Sequence, residues 1–182
     1  MDRALKRRLE ARFGTTLRGE VRQRNDETEL RIGAGAATDV LRALHDEPAF
    51  DFAILADLAG VDTGREMQVV YHLWSQTTGD WLRVIVEGLS RDDPRIASAT
   101  FLWKGAEWME RETYDMFGIV FEGNRDLRRI YMPPDYTSFP LRKDFYLADD
   151  SARSPGAGVR HMERTHSPVE AGESPLRSGT GA

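Results

Sequence analysis

Apolar residues recur along the first two thirds of the chain with a spacing that switches between helical and strand-like. Over residues 2–13, Ala4, Leu5, Leu9 and Phe13 fall at helical intervals, which predicts an amphipathic helix closed by a left-handed Gly14. Residues 17–23 and 28–32 alternate apolar with polar side chains around Asn25-Asp26, the pattern of a hairpin with one buried face. A second helix is expected to start after Thr38, turning Val40, Leu41 and Leu44 inward, and to end before Pro48. Residues 50–61 are almost continuously apolar, which predicts a central strand or strand-plus-turn. Residues 69–74 and 81–87 are β-branched and aromatic and flank the turn sequence Thr78-Gly79-Asp80, completing a three-stranded meander. After Pro94, residues 97–103 lead into a helix over 105–116, with Met109, Thr113, Met116 and Phe117 on one face.

The order helix, two strands, helix, three or four strands, helix predicts an α+β core over residues 1–117, with helices packed on a largely antiparallel or mixed sheet. Beyond Gly118 the periodicity stops. Residues 118–150 combine Gly123, Pro133, Pro134 and Pro140 with charges and with Ile119, Phe121, Ile130, Tyr131, Phe139, Leu141 and Phe145. A monomer gains little by ordering so long an irregular segment, so an extended arm that docks on a partner is expected. Residues 151–182 are rich in Gly, Pro and Ser and poor in hydrophobic residues, and read as a disordered low-complexity tail.

Composition narrows the chemistry. The chain has 182 residues and no cysteine, so it offers no thiolate nucleophile and no sulfur ligand for zinc or an iron–sulfur cluster. Its net charge of -5 argues against nucleic acid as a partner. The N-terminus lacks the apolar stretch of a secretory signal, and no run of about 20 apolar residues is present, so a cytoplasmic protein that meets a membrane only through partners is expected.

Tests for catalytic constellations return bland answers. His45, His72, His161 and His166 form no helical metal pair, and His72 reads as a surface or sheet-packed residue. The run from Gly33 to Thr38 enters a helix after a strand but lacks the third glycine of a dinucleotide turn. Glu110 and Glu112 would be a carboxylate pair, yet residues two apart on a helix point in different directions. Glu107, Arg111 and Asp115, four apart in turn, predict ion pairs along the helix. Arg128, Arg129, Arg142 and Lys143 on the arm are expected to pair with a partner's carboxylates.

The run ERETYDMFGIVFEGNRDLRRIYMPPDY followed by PLRKDF resembles the C-terminal signature of the C subunit of bacterial NADH:quinone oxidoreductase, the thirty-kilodalton subunit of mitochondria. LADLAGVD, VVYHLWS and AEWMERE follow the family's order upstream, so the resemblance spans about residues 41–147. Three positions depart from it. Gly123-Asn124-Arg125 stands where the family usually has Gly-His-Pro, Phe139 where it has histidine, and Glu107 where asparagine is common. The resemblance implies a non-catalytic structural subunit of the peripheral arm on the cytoplasmic side of the cell membrane. Iron–sulfur clusters and FMN would sit on partners, and the chain would pack against the large quinone-site subunit and the small subunit that bears the terminal cluster. It also implies a family motif and partner interface: Trp108, Glu110, Arg111, Glu112, Asp115 and Gly118 on the helix and its exit, with Arg128, Arg129, Pro140, Leu141, Arg142, Lys143 and Asp144 on the arm. The alternatives are the equivalent subunit of a membrane-bound hydrogenase or a ferredoxin- or F420-linked complex, and a stand-alone enzyme using Glu110, Arg111 and Glu112.

Overall fold

A computed structural model describes residues 3–24 and 27–145; the tail expectation, His161, His166 and the Asn25-Asp26 turn lie outside these residues. Helix α1 (Arg3–Phe13) is followed by β1 (Arg22–Arg24) and β2 (Glu27–Gly33). A 3-10 turn (Ala34–Ala36) then leads into α2 (Ala37–Asp46), as the helix-entry reading of the Gly33 run expects. Next come β3 (Ile54–Asp62), β4 (Met67–Trp74), β5 (Trp81–Leu89), β6 (Arg95–Ala97), α3 (Ala106–Phe117) and β7 (Val120–Glu122). The α+β class stands, and the sheet is mixed: strands run in the order β1-β2-β5-β4-β3, with β2 parallel to β5 and the other neighbours antiparallel.

Side-chain alternation puts one face of this sheet in the core. Met67, Val69, Tyr71 and Leu73 of β4 and Leu82, Val84 and Val86 of β5 pack with Leu5, Leu9 and Phe13 of α1 and with Val40, Leu41 and Leu44 of α2. The opposite positions carry charge. Glu27 bridges His72 at 3.0 Å and Arg83 at 2.8 Å, and Arg31 joins Glu29 to Glu87 beside them. His72 is therefore half-buried against a carboxylate, in keeping with its sheet-surface reading. The expected turn also forms: Gly79 takes a φ of 74°, and its amide donates to the Ser75 carbonyl at 2.8 Å.

Three details differ from expectation. Residues 54–62 form the edge strand, not a central one. Their apolar run arises because Leu58, Gly60 and Asp62 face inward, while small residues such as Ala56 and Ala59 tolerate the exposed side. Gly14 has no positive φ; a Cβ there would lie 2.7 Å from the Glu10 carbonyl oxygen, so glycine is favoured by close approach. Finally, Ile119 and Phe121, which the sequence assigns to the arm, are buried, and β7 pairs in parallel with β6.

Helix α3 crosses the inner side of β3 at Gly60, where a Cβ would stand 2.7 Å from Phe117 Cδ2 and 2.8 Å from Thr113 Cγ2. Gly60→Ala is expected to force these elements apart and to cost about 1–3 kcal/mol, read as a lower urea midpoint at unchanged slope.

Candidate functional site

The site grows from the exposed flank of α3 and the irregular residues that follow β7. Gly118 ends the helix in the left-handed conformation (φ 75°), its amide donating to the Tyr114 carbonyl at 2.8 Å. The residue is less a free joint than a packed corner, because Phe139 and Arg142 lie directly over it. A Cβ would come within 2.6 Å of the Phe139 ring and 2.9 Å of Arg142 Nη2, so the chain doubles back onto the helix end.

Asp115 organises the return. Its side chain is fully buried, and Oδ2 accepts the amides of Ile130, Tyr131 and Met132 at 3.0, 2.7 and 3.0 Å. Oδ1 takes Arg129 Nη1 at 2.7 Å. Three successive N–H groups turned to one point form an anion-binding concavity, filled here by an internal carboxylate. Burial alone would raise the Asp115 carboxyl, but these amides and the guanidinium hold it below the ordinary range. Arg129 also donates to the Ser138 carbonyl at 3.2 Å and lies over the rings of Tyr136 and Phe139.

Arg111, also buried, stacks its guanidinium 4.6 Å from the centre of the Trp108 ring. It donates to the Arg128 carbonyl at 3.3 Å and pairs with Asp126 at 3.5 Å. The ion-pair ladder expected from Glu107 through Arg111 to Asp115 does not form. Both inner residues turn to the returning chain, whose amides and charges come closer than one helical turn does. Glu110 and Glu112 do point apart, one buried and one exposed.

A second attachment closes the far end. Asp62, at the end of β3, receives Arg91 through Nε at 3.1 Å and Nη2 at 2.8 Å, Gly64 N at 2.7 Å, and Lys143 N at 2.9 Å. Arg91 also pairs with Asp144 at 3.2 Å. Arg142 donates to the Phe117 carbonyl at 2.7 Å and the Arg91 carbonyl at 3.1 Å, and Leu141 N to the Met116 carbonyl at 3.1 Å. Arg129 and Arg142 thus face inward, contrary to the expectation that arm cations await a partner: burying a guanidinium is tolerable only with carbonyls, a carboxylate or rings around it, and all are supplied from within the chain. Arg128 is exposed and held by Asp126 at 3.0 Å, Lys143 extends its side chain to the surface, and Pro140 is half-buried.

Sequence reasoning missed three anchors: Asp62, Arg91, and Ser98, whose hydroxyl donates to the buried Glu110 carboxylate at 2.8 Å. Asp62-Thr-Gly carried a usable signal, because an aspartate two residues before a glycine favours the side-chain-to-backbone turn seen at Gly64. Arg91 and Ser98 carried none.

These contacts set two expectations. Asp115→Asn removes the charge but keeps the shape; leaving Arg129 without its buried partner is expected to cost about 3–5 kcal/mol in chemical unfolding. For Asp62, burial acts upward, yet hydrogen bonds from Arg91, Lys143 and Gly64 bring the carboxyl from 3.8 down to about 2. A lowered acid contributes stability that is complete above 3.8 and disappears as the pH falls through about 2. Asp62→Asn is therefore expected to lose about 2 kcal/mol at neutral pH and to flatten the unfolding profile in that acid window.

Similarity to known proteins runs through the same segments. Residues 30–151 match the family described as "Respiratory-chain NADH dehydrogenase, 30 Kd subunit". The chain is 42% identical over 143 residues to the C subunit of NADH-quinone oxidoreductase from Roseiflexus sp. (strain RS-1), covering 77% of this chain and 81% of that protein. It is 38% identical over 138 residues to the corresponding protein of Mycolicibacterium gilvum (strain PYR-GCK), covering 74% of this chain but only 61% of the relative. Among solved structures, a trypsin-resistant fragment of Nqo5 superposes with a TM-score of 0.57 at 31% identity, covering 68% of this chain and 98% of the fragment. A chain of the membrane-bound sulfane sulfur reductase, an archaeal respiratory membrane complex, gives 0.64 at 27% identity, covering 81% and 86%. With a family match over residues 30–151, which take in α3 and the arm folded back on it, and with relatives and fold in agreement, the chain belongs to the 30 Kd subunit family of respiratory-chain NADH dehydrogenase.

Proposed function

We propose that this chain is a structural and assembly subunit of the peripheral arm of a proton-translocating NADH:quinone oxidoreductase, with no catalytic centre of its own. The observation that carries the reading is where apolar surface remains. Among the described residues six large hydrophobic side chains are exposed, and Trp108, Tyr131 and Leu141, the three most exposed, lie on α3 and the arm folded against it. Aromatic side chains held rigidly beside arginines are the usual anchors of protein interfaces. The arm's own cations are largely satisfied internally, so it meets its partner as a preformed surface, and little ordering entropy opposes association.

On this reading the face docks against the large quinone-site subunit and the small subunit bearing the terminal cluster. Iron–sulfur clusters reside on partner chains, since this sequence has no cysteine ligand, and FMN is assigned to a partner as well because the chain lacks a nucleotide-cradling glycine loop. Contact with the cytoplasmic side of the cell membrane is made through partners; no helix among the described residues is long and apolar enough to cross a bilayer. A second reading, the equivalent subunit of a related membrane-bound complex, is favoured by the likeness to the sulfane sulfur reductase chain.

Replacing Trp108 and Tyr131 together with alanine is expected to leave the chain folded while weakening its association by about 2 kcal/mol, or roughly 30-fold. The measurement is native-gel abundance of the complex beside NADH:quinone activity per intact particle. Abundance should fall and specific activity persist; normal abundance with lost specific activity would move these residues into the chemistry and overturn the scaffold reading.

A further inference from the structure

Two buried carboxylates on α3 hold the arm, and their surroundings differ in kind. Asp115 faces a guanidinium as well as amides, whereas Glu110, fully buried, faces only neutral donors. Glu110 Oε1 accepts the Ala99 amide at 2.6 Å; Oε2 accepts Ser98 Oγ and Asn124 Nδ2, each at 2.8 Å. Asn124 is the root of the arm. Its Oδ1 accepts the Asp126 amide at 3.0 Å, and its amide nitrogen also reaches the Glu107 carbonyl at 3.4 Å. One carboxylate therefore fastens together the turn after β6, the helix and the first residues of the arm.

The other charged groups around the site give Glu110 no counter-charge. Glu107 has the same sign, Arg111 is engaged with Asp126, and Glu122 of β7 pairs with Arg95.

We propose that Glu110 is a proton-binding clasp at the root of the arm: ionised, it ties Ser98, Ala99 and Asn124 to α3, and on protonation it turns its new O–H to Ser98 Oγ and releases Asn124. The change takes one proton from solvent and breaks no covalent bond. An ionised carboxylate only accepts, whereas the acid must donate through one oxygen; Ser98 Oγ, 2.8 Å from Glu110 Oε2 and 2.7 Å from Thr100 Oγ1, can accept that O–H while donating its own to Thr100, but Asn124 Nδ2 can only donate. Burial raises the Glu110 carboxyl, while the Ala99, Asn124 and Ser98 hydrogen bonds oppose the rise and the charge of Glu107 adds to it. The folded chain thus binds this proton more tightly than the unfolded one. The resulting stabilisation is full below the unfolded-state value and is lost as pH rises through the folded-state value. Asp115, shifted the other way, stays ionised meanwhile, so residues 130–132 remain attached while the root loosens.

The test is a carbon- and nitrogen-detected NMR titration of the whole 182-residue chain, which is independent of any partner and therefore of the docking reading. Glu110 Cδ should titrate above the ordinary carboxylate range, with the Asn124 side-chain amide and the Ala99 amide moving at the same midpoint and the Ile130–Met132 amides still. Asn124→Ala removes a donor to the ionised form and should raise that midpoint, and Glu110→Gln should abolish the step at Asn124. A Glu110 midpoint at or below the ordinary range, an unmoved Asn124, or an Asn124→Ala midpoint that stays or falls overturns the proposal. Should Glu110→Gln not fold, the titrations of the native chain and of Asn124→Ala decide alone.

Discussion

One buried carboxylate, Asp115, fixes the chain where it turns back over α3. Three consecutive amides converge on a single oxygen, so three residues of irregular chain are fixed at once, and the guanidinium on the other oxygen draws in Ser138 and Phe139 as well. Irregular segments ordinarily stay mobile because their backbone groups find partners equally well in water. Here the partner is a charge taken out of water, and charge-assisted bonds of this kind are about twice as strong as neutral ones. The arm is ordered from inside the chain, and its hydrophobic anchors are thereby presented at fixed positions.

This explains the split between the parts of the molecule that could be read from sequence and those that could not. The meander, the turn at Gly79 and the inward face of α2 follow from local periodicity, which depends only on which side of an element meets the core; on α3 only Thr113 of the expected face is buried, because the returning chain covers Glu110, Arg111 and Asp115 while Met109, Met116 and Phe117 stay half-buried. The parallel joining of β2 to β5 has no local signature, because it is a choice among distant partners. The edge position of β3 was hidden for a related reason: α3 covers one side of it, and small residues occupy the other, so its composition imitates a strand buried on both faces.

Within the candidate site, the residue types were legible and their partners were not. Glu110, Arg111, Asp115, Arg129 and Arg142 stand out as charges beside apolar motif residues, and all five contact the helix-to-arm junction. Helical spacing suggested that Arg111 and Asp115 serve one another along α3; tertiary approach gave both of them partners on the returning chain instead. Asn124 shows the limit most directly. It appears in the sequence only as a departure from a family pattern, and its role as a donor to a buried carboxylate emerges only when the turn is folded against the helix.

The parallel contact between β2 and β5 also has a consequence for the order of synthesis. Thr28 lies opposite Leu82 and Gly33 opposite Glu87, so the N-terminal hairpin cannot gain its sheet neighbour until more than fifty further residues have been made. A growing chain carries β2 with an open edge throughout that interval, and closing so long a loop is a slow step in folding. The meander β3–β4–β5, built from neighbours in sequence, can form first and offer its β5 edge as a template. The arm is translated after all of these strands, onto a helix whose Asp115 is already waiting, so the surface for assembly is finished only after the core beneath it has closed.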